Sequence, residues 1–183
     1  MSCTPGASTE RSDPRARDRT WPEAICEVLK TNSTLTSINL ESNHIGDEGV
    51  EAISKALKTN STLTSINLAW NRIGEVGVKA ICEALKRNST LTSINLESNR
   101  IGVEGAKAIG EALKTNSTLA SIILENNNIG GEGGKALAEA LNSNTTVCEI
   151  ELDRNKIPGE CAQALGQATG GRLSFWRSPP EPR

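Results

Sequence analysis

A unit of 28 residues recurs along this chain almost letter for letter. Leu29 to Leu40 reads LKTNSTLTSINL, and Leu57 to Leu68 repeats the same residues. Leu85 to Leu96 departs only where Arg87 replaces Thr. Self-similarity at a fixed period of this size is the signature of a solenoid. Each unit is too small to bury its apolar face alone and does so against its neighbours. Such an array points to a chain that works by binding, with the identity of what it binds left open.

Two periodicities share each unit. Leu35 to Ile45, LTSINLESNHI, places apolar residues at Leu35, Ile38, Leu40 and Ile45 around Asn43. Ser37 to Glu41 alternates polar and apolar residues, as a half-buried strand does. The same phrase restarts at Leu63, Leu91, Leu119 and Val147, giving five copies. The segment that follows, GDEGVEAISKALK, has Gly49, Ala52, Ile53, Ala56 and Leu57 on one helical stripe. Each unit is therefore strand, loop and helix, and the strands must lie parallel. Helices are wider than strands, so stacking them bends the array into a short horseshoe arc. The fold class is α/β, with parallel strands on the concave face and helices on the convex face.

Several repeated residues have work to do inside the array. Asn43, Asn71, Asn99, Asn127 and Asn155 form a ladder whose amides are placed to satisfy loop backbone groups leaving the sheet. Gly pairs such as Gly46/Gly49, Gly74/Gly77 and Gly102/Gly105 allow a tight turn into a closely packed helix. At the start, Thr20-Trp21-Pro22-Glu23 fits a capping box that opens a half-unit helix through Leu29. At the end the unit decays, with Pro158 and Cys161 replacing glycines and Thr169 replacing Leu. The expected organisation is a disordered tail over 1–19, a repeat domain over 20–169, and a Pro-rich tail over 170–183. Leu173, Phe175 and Trp176 in that last tail either fold back over the open end or hang free.

Composition excludes several classes. Residues 21–172 carry 18 acids and 14 bases, a net of −4, without the dense basic face that nucleic acid requires. No apolar run is long enough to span a membrane. Met1 to Thr20 lacks the apolar core of a secretory signal, which sets the expectation of a cytoplasmic protein. The cysteine count is five, and Cys26 and Cys82 sit two repeats apart, beyond disulfide reach, so free thiols are expected. Asn32, Asn60, Asn88, Asn116 and Asn144 each open an N-x-S/T sequon. Outside a secretory context these are read as loop residues, placed just after a helix where Asn tolerates the left-handed conformation.

Chemistry-bearing constellations are sparse. His44 is the one histidine and follows a ladder Asn on a loop, so neither a metal cluster nor a nucleophile–His–acid set is suggested. Gly130 to Lys135 looks like a phosphate loop, but Ile129 and Ala136 occupy positions that the motif assigns to Gly and Ser/Thr. Neither an enzyme activity nor a small-molecule or metal cofactor is expected.

The phrase LxxIxLxxNxIG followed by GxxAIxxAL resembles the ribonuclease-inhibitor-type leucine-rich repeat. Among such proteins it most resembles the C-terminal repeats of NOD-like receptors, where phrases similar to LKTNSTLTSINL are typical. Similar repeats occur in ribonuclease inhibitor and in Ran GTPase-activating proteins. The resemblance covers roughly 21–169. It implies a non-catalytic module that binds a protein partner, such as the sensing or autoinhibitory repeats of a NOD-like-receptor-like protein. The alternative that it implies is a GTPase-activating protein offering Arg72 or Arg100. The scaffold serves many partners, so the site has to be read from the residues.

Because the units differ so little, their differences mark the surface. Two breaks stand out among the concave strand residues: Ala69-Trp70 replaces Glu-Ser, and Ile123 replaces Asn. An exposed Trp with Arg nearby is what interfaces favour. The expected partner-binding set is Asn67, Ala69, Trp70, Arg72, Asn95, Glu97, Arg100, Ile123 and Glu125. A row of acids (Glu41, Glu97, Glu125, Asp153) runs beside His44, Arg72, Arg100 and Lys156, and the two rows are expected to pair across strands.

Overall fold

The computed structural model describes residues 14–168, with side chains placed from residue 23 onward. Its elements alternate strictly. α1 (Pro14–Thr31) precedes β1 (Ser37–Asn39), α2 (Gly46–Leu57), β2 (Ser65–Asn67), α3 (Glu75–Leu85), β3 (Ser93–Asn95) and α4 (Gly102–Leu113). Then follow β4 (Ser121–Ile123), α5 (Gly130–Ser143), β5 (Glu149–Glu151) and α6 (Gly159–Ala168). The strands form one parallel sheet in the order β1-β2-β3-β4-β5. Register follows the repeat: Ile38 pairs with Ile66, Ile66 with Ile94, Ile94 with Ile122, and Ile122 with Ile150. The repeated sequence thus becomes an α/β leucine-rich-repeat solenoid.

Inward-facing side chains make continuous aliphatic rows. Ile66, Ile94, Ile122 and Ile150 form one, and Leu68, Leu96, Leu124 and Leu152 another, all buried. Val50, Ile53 and Leu57 of α2 and their equivalents close the core from the helix side. Each fully buried side chain of this size contributes roughly 1.5–3 kcal/mol. Leu35 and Ile38 of the first repeat are only partly buried, because among the described residues no strand pairs with β1 on its outer side.

The ladder of Asn71, Asn99, Asn127 and Asn155 is buried, as its spacing predicts. Asn99 shows the pattern. Its Oδ1 accepts from Asn71 N at 3.1 Å and Ile73 N at 2.9 Å. Its Nδ2 donates to Leu68 O and Leu96 O at 3.0 Å and to Glu97 O at 3.1 Å. Asn43 differs: it is exposed, since no earlier loop stacks on it.

The sequon asparagines correct the sequence reading. They are not left-handed loop residues; Asn144, for example, has φ −79° and ψ 124°. Asn60, Asn88, Asn116 and Asn144 are buried and form a second ladder. Each Nδ2 donates to the repeat before it, at Leu29 O (2.7 Å), Leu57 O, Leu85 O and Leu113 O (2.8 Å each). Each Oδ1 accepts from the backbone two and three residues ahead, as Asn60 does from Thr62 and Leu63. The nitrogen that a glycan would occupy is committed to the neighbouring repeat.

Three further points differ from or refine the reading. The first helix starts at Pro14, so Thr20 lies within it and does not cap it. The glycines after Ile129 serve packing: a Cβ on Gly133 would lie 2.6 Å from Ile129 Cγ2 and 2.9 Å from Ala106 Cβ. The Pro-rich tail, with Leu173, Phe175 and Trp176, and the tail before Pro14 lie outside the described residues.

Among the described residues, one buried side-chain polar atom has no hydrogen-bond partner. Ser54 Oγ lies in the seam between helices, at the repeat position held elsewhere by Cys26, Cys82, Gly110 and Ala138. Cys82 in the same row is a thiol that burial pushes up to about 12, which makes it unreactive. A buried hydroxyl without a hydrogen bond carries a desolvation cost. Ser54→Ala is therefore expected to leave stability unchanged or raise it by up to ~1 kcal/mol. A thermal melt of the variant showing a clear loss would mean that the hydroxyl has a partner.

Candidate binding surface on the strand-to-helix loops

Each strand ends in two tight turns that lead into the next helix. The turns place a residue in the left-handed region at the same repeat position: Ser42, Trp70, Ser98, Asn126 and Arg154 have φ between 52° and 59°. Asn accepts this conformation more readily than a bulky residue does. Trp70 and Arg154, both at φ 58°, are the bulky ones, and Trp70 is the apolar one, 52% exposed. Two costs therefore meet at one residue, an unfavourable backbone and apolar surface left in water. Neither is required by the fold, because the other repeats make the same turn without an aromatic.

The concave positions beside it are mixed. Asn67, Asn95, Glu97, Ile123 and Glu125 are half-buried and face outward from the sheet. Asn67 Nδ2 donates to Glu41 Oε2 at 3.1 Å, and its Oδ1 accepts from Ala69 N at 3.0 Å. Ala69 was expected on this surface and is not there: it is 1% exposed. It stands at the repeat position of Glu41 and Glu97, and a methyl group is too short to clear side chains of that length.

Beside Trp70 the loops break their own symmetry. In the other turns Gly46, Gly102 and Gly130 have φ of 63° to 66°. Their N–H groups donate to Asn71 O, Asn127 O and Asn155 O of the next repeat. Gly74 instead has φ −98° and ψ −165°. Its N–H donates to the Asp47 carboxylate at 2.6 Å, which also accepts from Gly77 N at 3.1 Å. Asp47 thereby caps α3 from the preceding helix, a role that Glu75, Val103 and Gly131 do not take at its repeat position. With Gly74 turned, Ile73 O is presented to Arg100 N, which donates to it at 2.8 Å. Arg100 alone among His44, Arg72, Arg100, Asn128 and Lys156 is then not left-handed.

The two charged rows were expected to pair and, among the described residues, form no ion pair with each other. Among the described residues one cross-repeat ion pair forms, Arg154 Nε to Glu125 Oε1 at 3.5 Å. The others are exposed Glu–Lys pairs within helices, such as Glu83–Lys86 and Glu111–Lys114. Arg72 and Arg100 are exposed and enter no ion pair among the described residues. On the sheet face, Glu151 is held above the usual carboxylate range by burial and then by the charges of Glu149, Glu125, Asp153 and Glu97. A raised carboxyl means that its ionised form is disfavoured by the fold, so this strain eases as pH falls.

Val76 was missed by the strand-based reading. It is 58% exposed in the first turn of α3, where other repeats carry Glu48, Glu104 and Glu132. The signal was available, since Val76 breaks the repeat as plainly as Trp70 does. With it, repeat two carries two of the large exposed apolar side chains of the described surface.

Groups of His, Cys, Asp and Glu able to hold a metal ion are absent among the described residues. So is any helix long and apolar enough to cross a membrane. Cys26, Cys82, Cys148 and Cys161 are unbridged.

Comparison with known proteins adds the family. Residues 31–54, 59–82, 87–110 and 115–138, together about half of the chain, match the model of the family described as Leucine Rich repeat. None of the curated proteins matches the chain. Among solved structures it is similar to "Leiomodin-1 Actin-Binding Site 2 (ABS2)", with a TM-score of 0.74 and 27% identity over 81% of this chain and 87% of that one. It is also similar in fold to a tropomodulin C-terminal domain of Caenorhabditis elegans, with a TM-score of 0.71 and 15% identity over 82% of this chain and 92% of that one.

Proposed function

The chain belongs to the leucine-rich-repeat family, and from that premise we propose that it is a non-catalytic module that binds a protein partner along its concave face and rim. The observation that carries this is Trp70, exposed and left-handed at a position where the array is served equally well by Ser or Asn. Asn67, Asn95, Glu97, Ile123 and Glu125 supply the adjoining face, and Arg72 and Arg100 the rim. Ala69 belongs to the core beneath them. The free thiols and committed sequon amides suit a reducing, cytoplasmic setting.

The likeness to an actin-binding unit of leiomodin-1 makes actin the first partner to test. Sequence phrases similar to those of NOD-like receptors support a finer alternative, the repeat region of such a receptor. The test is co-sedimentation and fluorescence titration with actin, using wild type, Trp70→Ser and Ile123→Asn. Both substitutions install residues native to the same positions of other repeats. Each is expected to weaken binding by ~1–3 kcal/mol, the range of an interface anchor. Melting temperatures should be unchanged, or higher for Trp70→Ser. Binding by wild type that survives both changes would remove the concave face from the reading.

The exposed arginines also favour a second reading, a GTPase-activating protein of the Ran type. In that case the purified chain accelerates GTP hydrolysis by a small GTPase, and Arg72→Ala or Arg100→Ala abolishes the effect. An unchanged hydrolysis rate excludes it.

A further inference from the structure

The rim of repeats two and three holds charge that the fold does not answer. Arg72 and Arg100 occupy the same repeat position in adjacent units, whose strands are paired in register. Adjacent parallel strands lie ~4.8 Å apart. The Arg100 N–H donates to the carbonyl of Ile73, the residue after Arg72, so the two rim positions sit on adjoining, hydrogen-bonded loops. Both guanidinium groups are exposed, and neither has a carboxylate within ion-pair distance among the described residues. Two arginines stand side by side in the array only here: at this position repeat one carries His44, repeat four a neutral Asn128 and repeat five Lys156. Trp70 and Val76, both exposed, flank the pair on the same loop and helix start.

We propose that Trp70, Arg72 and Arg100 form a cradle for an acidic segment of the partner protein, a carboxylate bridging the two arginines while an apolar side chain beside it covers Trp70. This rests on the protein-binding reading and names the chemistry of the partner. Arg is suited to it, because its planar fork binds carboxylate oxygens in pairs. Asp47 acts as a positioning residue. By turning Gly74 it brings the Arg100 N–H to Ile73 O and so fixes the backbone of the two rim positions against each other.

The test uses the full chain and fluorescence anisotropy with short labelled peptides of glutamate and serine around one central leucine. Counterparts carry glutamine or lysine in place of every glutamate, and a labelled thymidine oligonucleotide is run beside them. The glutamate peptide is expected to bind roughly ten times more tightly than the glutamine peptide, with an affinity that falls as salt rises. The lysine peptide should not bind. The double variant Arg72→Asn/Arg100→Asn places at both sites the residue that repeat four carries, so the turns are kept. It should lose most of the difference between the glutamate and glutamine peptides, while its melting temperature stays near that of wild type. Trp70→Ser should weaken the glutamate peptide and cost nothing when the leucine is replaced by serine. Equal binding of the glutamate and glutamine peptides overturns the proposal, as does indifference to the double variant. Tighter binding of the oligonucleotide than of any peptide assigns the cradle to nucleic acid and also overturns it. The peptide titration reads the cradle and the actin titration reads the concave face, so either can fail without the other.

Discussion

Asn99→Ala is expected to destabilise the protein by ~3–5 kcal/mol, among the largest effects of any single polar substitution in the array. Removing the amide leaves Asn71 N and Ile73 N without the acceptor that both use. It also takes a donor from Leu68 O, Leu96 O and Glu97 O. A buried backbone group left unpaired costs about 1–3 kcal/mol, and each N–H has a single hydrogen to donate, whereas a carbonyl keeps a second lone pair. Domains of this size are typically stable by only ~5–15 kcal/mol, so the variant should sit near the edge of folding. Asn43 supplies the control. It occupies the same repeat position but is exposed, and its amide donates only to Glu41 O, at 2.8 Å. Asn43→Ala should cost no more than ~1 kcal/mol. Urea denaturation of both variants decides the matter. If the two midpoints fall together, the loss is not one of buried pairing.

Much of this was legible in the sequence, for a physical reason. A repeat that must stack on itself can place its strands, helices and buried asparagines in only one way, so the positions of β1 to β5 and of the ladder Asn71 to Asn155 follow from the period. Trp70 was legible as well, because a near-identical array makes any exception visible. What the period hides is whatever depends on the ends or on one side chain acting across repeats. Asn43 carries the ladder letter but lacks an earlier neighbour, so its burial could not be read from its identity. Thr20 carries the letters of a cap, yet a helix that already runs from Pro14 leaves it nothing to cap. The sequon asparagines were read locally, whereas their role lies in the preceding unit, where Asn60 reaches Leu29 O. Ala69 was assigned to the surface by alternation alone, which ignores how far its neighbours reach. The turned loop at Gly74 is the clearest case. One carboxylate, Asp47, redirects two N–H groups in the next repeat and moves Arg100 with them. Nothing in the spacing of Gly74 and Gly77 distinguishes them from the other pairs.

The end of the array sets the other large effect. Deletion of residues 1–29 should collapse the protein, whereas deletion of residues 1–13 should not. Among the described residues no strand precedes helix α1, and its contribution is to close the first face of the stack. Leu29 and Cys26 are buried there, and Ile25 packs against the same core. Losing Leu29 alone removes about 2–3 kcal/mol of burial. The first amide of the second ladder, Asn60 Nδ2, loses its 2.7 Å acceptor on Leu29 as well. The α2 stripe of Val50, Ile53 and Leu57 then faces water on the side that α1 covered. Together these come to ~4–6 kcal/mol, most of the stability of an ordinary domain. Each unit contacts only its neighbours, so the damage starts at the first repeat and is passed along the stack. The exposed β1 edge adds a route to aggregation. The segment 1–13, by contrast, offers little apolar surface to bury. The expected result is a melting temperature within a few degrees of wild type for the short deletion. The long deletion should show a drop of roughly 10–20 °C or outright precipitation. Superimposable melts for the two truncations would show that α1 does not close the stack, and that its buried residues contribute far less than their exposure implies.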